Sequence, residues 1–341
     1  MSAAGEGLTE PILYLRLSVQ MQASLATQVI SIPYFDVTII KIEIYFSHAT
    51  ILSSGSRKEI ANMYQNLFNL YLKCFPNYPV TQELFFDLLK PEKAHIIQKF
   101  IQGELAAFSI IHGSSISLLC VDSKYRRQGI GTELLNTSEQ YIKDSGASRI
   151  ILGRGKYYLL QGVPTDYEET VLFFQKHGYS AAWTSTNMQL DLKTFFSANL
   201  QIPKAPNDIV YRFATQEDKD SLFEAIHDAK KEWKNVFETC VDPIYVAVKG
   251  GKVIGFEVLS PAGGRFVGEH EKVGCVGCVG VIPSERERGI GRQMVVNGID
   301  WLKSQNCTSI ELRYVEIVNW YRKIGFKATR LQWIGEKNIV Q

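Results

Sequence analysis

No run of about 18 uncharged apolar residues occurs in this chain of 341 residues, so nothing in it reads as a membrane span. Glu6 and Glu10 precede any apolar run, which does not fit a secretory signal. Cysteine is scarce, six in all, too few for a disulfide scaffold, and a reducing, cytoplasmic compartment is expected. Cys275 and Cys278 have the spacing of a metal knuckle, but no second Cys or His pair stands near them. They read as small core residues, and no metal is expected. An excess of one charge sign is also missing: 37 Lys and Arg, evenly mixed with 35 Asp and Glu, argue against a nucleic-acid binder. With 45% hydrophobic and 21% charged residues, the composition is that of two ordinary soluble domains.

What the chain does have is one phrase written twice. Arg126-Arg127-Gln128-Gly129-Ile130-Gly131 and Arg286-Glu287-Arg288-Gly289-Ile290-Gly291 lie 160 positions apart, about one domain. The same offset sets Ile130, Leu134, Leu135 and Ile142 against Ile290, Met294, Val295 and Leu302, the buried stripe of a helix that starts at each phrase. Gly146 falls against Asn306, two residues that tolerate the left-handed end of a helix. A strand follows each, Arg149–Leu152 and Ser309–Leu312. The repeated unit is strand, glycine turn, helix, strand.

Around that unit the order of elements is the same in both halves. The second half reads as a strand at 208–214, a helix capped by Thr215-Gln216-Glu217-Asp218, a second helix with Trp233 and Phe237, and a hairpin turning at Lys249-Gly250-Gly251-Lys252. The strand at 273–282 then feeds the glycine phrase, and a short helix around Trp320 and a last strand near Leu331 close the series. The first half offers helices at 58–75 and 81–89, a hairpin at Gln102-Gly103, and a strand at 116–121. The stretch 193–206, with Pro203 and Pro206, reads as the linker, so the chain divides into an extension at 1–55, a first domain at 56–192 and a second at 207–341.

Glycines in the first turn of a helix admit a ligand close to the backbone and leave amide N–H groups at the positive end of the helix dipole, which suits a pyrophosphate. Arg126, Arg127, Arg286, Arg288 and Arg292 add charge able to reach further phosphate oxygens. A P-loop is excluded, because Thr132-Glu133 and Arg292-Gln293 stand where Lys and Ser or Thr are needed. Hairpin-linked strands before the phrase argue for a mixed sheet over a doubly wound dinucleotide fold.

Both phrases and the order of elements resemble the GNAT superfamily of acetyl-CoA-dependent N-acyltransferases, whose signature is Arg or Gln, two residues, Gly, one residue, then Gly or Ala. The resemblance implies an α+β chain of two tandem GNAT folds, each a mixed, mostly antiparallel sheet flanked by helices. It implies that the amides of Gln128, Gly129, Ile130, Gly131 and Thr132, and of Arg288, Gly289, Ile290, Gly291 and Arg292, hold the coenzyme A pyrophosphate. Arg126, Arg127, Arg286 and Glu287 belong to the same phrases. The strands ending at Val121 and Val281 would bond the pantetheine arm through their backbone.

The transfer needs little from side chains beyond two proton movements, off the amine and onto the departing thiolate. In the family a Tyr four residues before a Gly-aromatic pair often supplies the second proton, and Tyr321 stands there before Gly325-Phe326. The first half has Phe174 in that place, which assigns the chemistry to the second half. Glu257, after the hairpin turn, and Glu271, beside the signature strand, are the candidate bases, with a water relay as the alternative.

The first half carries 13 extra residues, since Gly129 to Phe174 is 45 positions and Gly289 to Tyr321 is 32. They lie within 153–170, a loop expected to overhang the acceptor side of a cofactor cleft and to suit a small polar or sugar-like ligand. Gly162-Val163-Pro164 is similar to a phrase in GNAT domains attached to hexosaminidase-type proteins, favouring an amino-sugar acceptor. The expected function is acetyl transfer from acetyl-CoA to a primary amine of a small molecule in a ternary complex, with neither nucleic acid nor membrane as partner. The alternative is a non-catalytic acyl-CoA or metabolite sensor or regulatory protein.

Overall fold

The computed structural model describes residues 57–90, 94–154, 158–181, 183–201, 205–268 and 270–339, all within one compact unit that spans Ala49–Gln341. The extension at 1–55 and the strand read at Ile39 to Phe46 lie outside the described residues.

In the first half, helix α1 (Arg57–Cys74) and helix α2 (Gln82–Leu88), capped by the Thr81 side chain, precede β1 (His95–Ile101), β2 (Glu104–His112) and β3 (Ser115–Val121). Helix α3 (Ile130–Asp144) starts at Gly129 and lays Ile130, Leu134, Leu135 and Ile142 on the sheet, as their spacing requires. Strand β4 (Arg149–Leu152), the two-residue β5 (Val163–Pro164), α4 (Glu168–Lys176) and β6 (Thr184–Asp191) follow.

The second half repeats the series as β7 (Ile209–Phe213), α5 (Lys219–Lys230), α6 (Lys234–Glu238), β8 (Ile244–Lys249), β9 (Lys252–Ser260) and β10 (Val273–Val281). It continues with α7 (Ile290–Ser304), β11 (Ser309–Leu312), α8 (Val318–Arg322), β12 (Lys327–Trp333) and β13 (Glu336–Asn338). Thr215 and Asp218 form the expected capping box before α5. Gly146 and Asn306 end α3 and α7 in the left-handed region, at φ 81° and 62°.

The sheets do not follow the halves of the chain. One runs β1-β2-β3-β4-β13 and the other β5-β12-β6-β11-β10-β9-β8-β7. Strand β6, from the first half, lies antiparallel between β11 and β12, with Leu190 opposite Ile310 and Met188 opposite Leu312. In return β13, from the end of the chain, pairs with β4, Lys337 opposite Ile150. The sequence reading gave each half its own final strand, and the structure corrects it: Met188, Leu190 and Leu192 are buried in the core of the second half. The reason is physical. β6 carries apolar residues that the core of the second half buries, whereas the three residues of β13 are held at β4 by backbone pairing and by the Arg154–Glu336 and Lys337–Glu139 ion pairs.

The feature that places the site occurs in both sheets. β10 pairs in parallel with β11 only from Val273 to Cys275, and β3 with β4 only at Ser115 and Ile116. Beyond those rungs the parallel neighbours part, and the signature strand runs on to the glycine turn with one side open.

Candidate active site

Both glycine turns have one geometry, which shows that the repeated phrase encodes a shape. Gly129 and Gly289 precede their helices at φ 82° and 80°, and Arg127 and Glu287 are left-handed at φ 61° and 64°. A non-glycine residue held there is strained, and a left-handed residue on either side of Gln128, and of Arg288, turns successive amides toward one concave nest. The first helical bonds come from Glu133 to the Gly129 carbonyl and from Gln293 to the Gly289 carbonyl, both 3.0 Å. The amides of Ile130, Gly131 and Thr132, and of Ile290, Gly291 and Arg292, precede them and have no acceptor within the helix. Burial also leaves Nε of Arg292 without a partner, a donor set beside the second nest.

The arginines divide in a way the sequence did not show. Nε of Arg126 donates to the Val121 carbonyl at 3.0 Å, and Nε of Arg286 to the Val281 carbonyl at 2.9 Å. These two brace the strand end, so their first task is to hold the turn. Arg127 pairs with Glu169 at 2.6 Å, Arg288 pairs with Glu285, and Gln128 bonds the Lys124 carbonyl. Thr132 meets His177 Nε2 at 3.3 Å.

Each short helix after the parted strands packs on its glycine turn. A Cβ at Gly291 would stand 3.7 Å from Trp320, and one at Gly131 3.7 Å from Phe173. Tyr321, next to Trp320, is buried against Phe326 and the α7 face, 8% exposed. Burial, and then the charge of Glu257, push its phenol well above the ordinary range, so it remains a proton donor at neutral pH. Phe174 occupies the matching place in the first half, buried without a hydroxyl.

Glu257 is wholly buried in β9, and neither carboxylate oxygen has a hydrogen-bond partner. Burial alone pushes its carboxyl up to about 8. It lies opposite an irregularity in β10: Val258 pairs with Gly277 and Phe256 with Gly280, so Cys278 and Val279 share the rung of Glu257. Cys278 is left-handed there, at φ 49°. A bulge of this kind leaves a strand amide unpaired where the strands part. In the first half the irregularity falls at Ser117, and the position of Glu257 is held by Ser109, bonded to Ser138 at 2.8 Å.

Glu271 stands apart from this group. It is exposed, two residues before β10, and accepts the Gly268 amide at 3.0 Å, closing a turn. Cys275 and Cys278 lie in the strand, Cys275 buried and Cys278 half-buried, as core residues do.

The long loop serves both halves. Leu160, Gly162, Val163, Pro164 and Tyr167 line a small open cleft at the parting of β3 and β4, with Phe174 on its wall. Ahead of them Tyr158 crosses to the second half, its ring 5.9 Å from Tyr314. Sequence reasoning missed that crossing, and with it Arg265 and Arg313, because their place depends on how two loops 100 residues apart meet.

The acetyltransferase (GNAT) family model matches the chain twice, over residues 61–179 and 208–326. A mycothiol acetyltransferase from Amycolatopsis mediterranei (strain U-32) is 27% identical over 256 residues, 66% of this chain and 78% of that protein. A glucosamine N-acetyltransferase region of a fungal multi-domain GH3 beta-N-acetylglucosaminidase superposes with a TM-score of 0.66 at 21% identity, over 80% of this chain and only 36% of that one. A tandem GNAT protein from the clavulanic acid biosynthesis pathway, solved without AcCoA, gives a TM-score of 0.61 at 13% identity, over 82% of this chain and 95% of that one. Among the described residues no helix is long and apolar enough to cross a membrane. With its two glycine nests, two parted sheets and two matches to one family model, the chain belongs to the GNAT family of acetyltransferases and carries two such domains in tandem.

Proposed function

We propose that this protein transfers an acetyl group from acetyl-CoA to a primary amine of a small molecule, and that the second half performs the transfer. The observation that carries this reading is the joint asymmetry of the halves. Where the second half has Glu257 and Tyr321 on the buried face beside the bulge, the first has Ser109 and Phe174. The first half keeps the nest and the cleft but neither group that moves a proton.

Acetyl-CoA, when bound, supplies a thioester already activated toward amines. The nest at Gly289 and the unpaired Nε of Arg292 fit its pyrophosphate, and the open side of β10 fits an extended arm. The bulge at Cys278 and Val279 offers an amide to the carbonyl oxygen where charge develops. Glu257 takes the proton from the attacking nitrogen, directly or through a water. Tyr321 gives its proton to the departing sulfur and regains one from solvent. Amino sugars are the first acceptors to try, because one of the similar structures bears the name glucosamine N-acetyltransferase.

Thiol release from acetyl-CoA, measured over a panel of primary amines, tests the reading. Amine-dependent release that falls in Tyr321→Phe supports it. Coenzyme A binding with no release by any amine overturns it in favour of a sensor.

A further inference from the structure

Two arginines are set into the wall of the second parting with too little negative charge around them. Arg313 follows Leu312, the last residue of β11, on the arm that leaves β10, and Arg265 comes from the loop joining β9 to β10. That loop is built to deliver it. The Gly264 amide bonds the Val273 carbonyl at 2.9 Å, and a Cβ at Gly263 would come within 2.7 Å of the Cβ of Cys275, so only glycine lets the loop lie so close.

The partners of the two guanidiniums are few. Arg265 donates one side-chain bond, to the Tyr158 carbonyl, and lies over the Tyr158 ring at 4.7 Å. Arg313 donates to the Gly263 carbonyl at 2.8 Å and stands 3.7 Å from Glu311. Glu311 already accepts the Arg265 amide at 2.8 Å and is 2% exposed. Arg154, whose charge reaches Tyr314, is paired with Glu336 at 2.5 Å. With Arg149 4.0 Å from the same Glu336, four arginines share two carboxylates. A guanidinium has five N–H donors, and most of those on Arg265 and Arg313 meet no protein acceptor among the described residues. Burial, followed by the charge of Arg313, lowers the affinity of Arg265 for its proton, whereas Arg313, against its burial, is raised by Cys275 and Glu311.

We propose that Arg265 and Arg313 bind an anionic group, a carboxylate or a phosphate, on the acceptor amine, with Tyr158 and Tyr314 closing over its body. This rests on the second half being the transferring half. The anion is not one of coenzyme A's own phosphates. Cys275, on the last paired rung, is six residues of strand from Val281, roughly 20 Å at about 3.3 Å per residue, and the nest lies beyond that. Arg313 stands one residue past β11, where β11 leaves β10, on the face opposite Ile310 and Leu312, which pack on the α7 side with Tyr321, so the anion it holds lies across the parting from the groups that move the protons.

The test uses matched amines that differ by the anion: glucosamine with glucosamine 6-phosphate, ethanolamine with phosphoethanolamine, and glycinamide with glycine. Calorimetry on the coenzyme A-saturated protein reads binding, and thiol release reads turnover. At least one anionic member is expected to bind about 10- to 100-fold more tightly than its neutral partner. Arg265→Gln and Arg313→Gln should each erase that ratio while the affinity for coenzyme A stays as in the parent. Phosphate alone active in the pairs, or carboxylate alone, identifies the source. Neutral members that bind as well as anionic ones in every pair overturn the inference, even if every variant misfolds, because the parent protein carries the comparison. Release with neutral amines only would leave the acetyltransferase reading standing, whereas tight anion binding without release would sink that reading and keep this one.

Discussion

Gly298 leaves the space that Glu257 fills. A Cβ on Gly298 of α7 would come within 2.5 Å of the Glu257 carboxyl oxygen, while the matching pair in the first half, Ser138 and Ser109, closes the same gap with a 2.8 Å hydrogen bond. A glycine in mid-helix normally costs about 1 kcal/mol relative to alanine, so its presence here reflects the carboxyl it accommodates.

That relationship predicts the sign of a substitution. Gly298→Ala should destabilise the protein by roughly 1–3 kcal/mol, because the new Cβ would come within 2.8 Å of Leu259 as well as against the Glu257 carboxyl, and both side chains are fully buried. Turnover should fall with it. Urea unfolding and kcat of the same variant check both, and a variant more stable than the parent would show that Glu257 moves freely.

Glu257 should also leave its mark on pH dependence. Its folded-state carboxyl titrates at about 8, against an ordinary value of 4.5. The folded protein therefore binds the extra proton between those limits, and the contribution of Glu257 to stability is full below about 4.5, falls as pH rises, and is gone above about 8, a loss on the order of 5 kcal/mol. As a base Glu257 works when ionised, so kcat/KM should climb with pH over the upper part of the same window. Glu257→Gln should remove the climb and be more stable than the parent at pH 9. An unchanged pH profile in that variant would assign the proton to a water relay.

These contrasts show how far the sequence could be read. The glycine phrases, their flanking strands and the left-handed ends at Gly146 and Asn306 were legible because each rests on local chemistry that one residue enforces. The absence of a hydroxyl at Phe174 was legible for the same reason. The burial of Glu257 was not, since a glutamate opposite a bulge and one on a surface strand look alike until Gly298 is brought across from another element. Nor was the exchange of β6 and β13, which depends on a choice between two similar edges.

Tyr321→Phe should lower kcat by about 100-fold or more, the usual worth of a positioned acid, with little change in the KM for acetyl-CoA. Phe174→Ala should instead cost about 3–5 kcal/mol of stability, as the loss of a buried aromatic does, with kcat retained in whatever remains folded. Activity that survives the first change and vanishes with the second would move the chemistry to the first half.

The exchanged strands predict where the fold comes apart. Removing residues 336–341 deletes β13 together with the Arg154–Glu336 and Lys337–Glu139 ion pairs, and bares the edge of β4. Amide exchange at Arg149–Leu152 should speed up by orders of magnitude, while β8 and β9 in the other sheet keep their protection. Protection of β4 that persists in the shortened chain would mean that β13 merely rests on the sheet.

The two glycine nests can be told apart by the conformation they share. Gly129 and Gly289 sit at φ 82° and 80°, where an alanine costs about 1–2 kcal/mol and draws the turn away from its ligand. No side chain stands within 4 Å of a Cβ at Gly129, so there the change acts on the backbone alone. If the second half performs the transfer, Gly289→Ala should raise the KM for acetyl-CoA about tenfold or more, and Gly129→Ala should leave it unchanged while removing any second binding event from a calorimetric titration with coenzyme A. A KM that responds to Gly129→Ala and ignores Gly289→Ala would place the productive thioester in the cleft beside Phe174, where Tyr321 and Glu257 have no part.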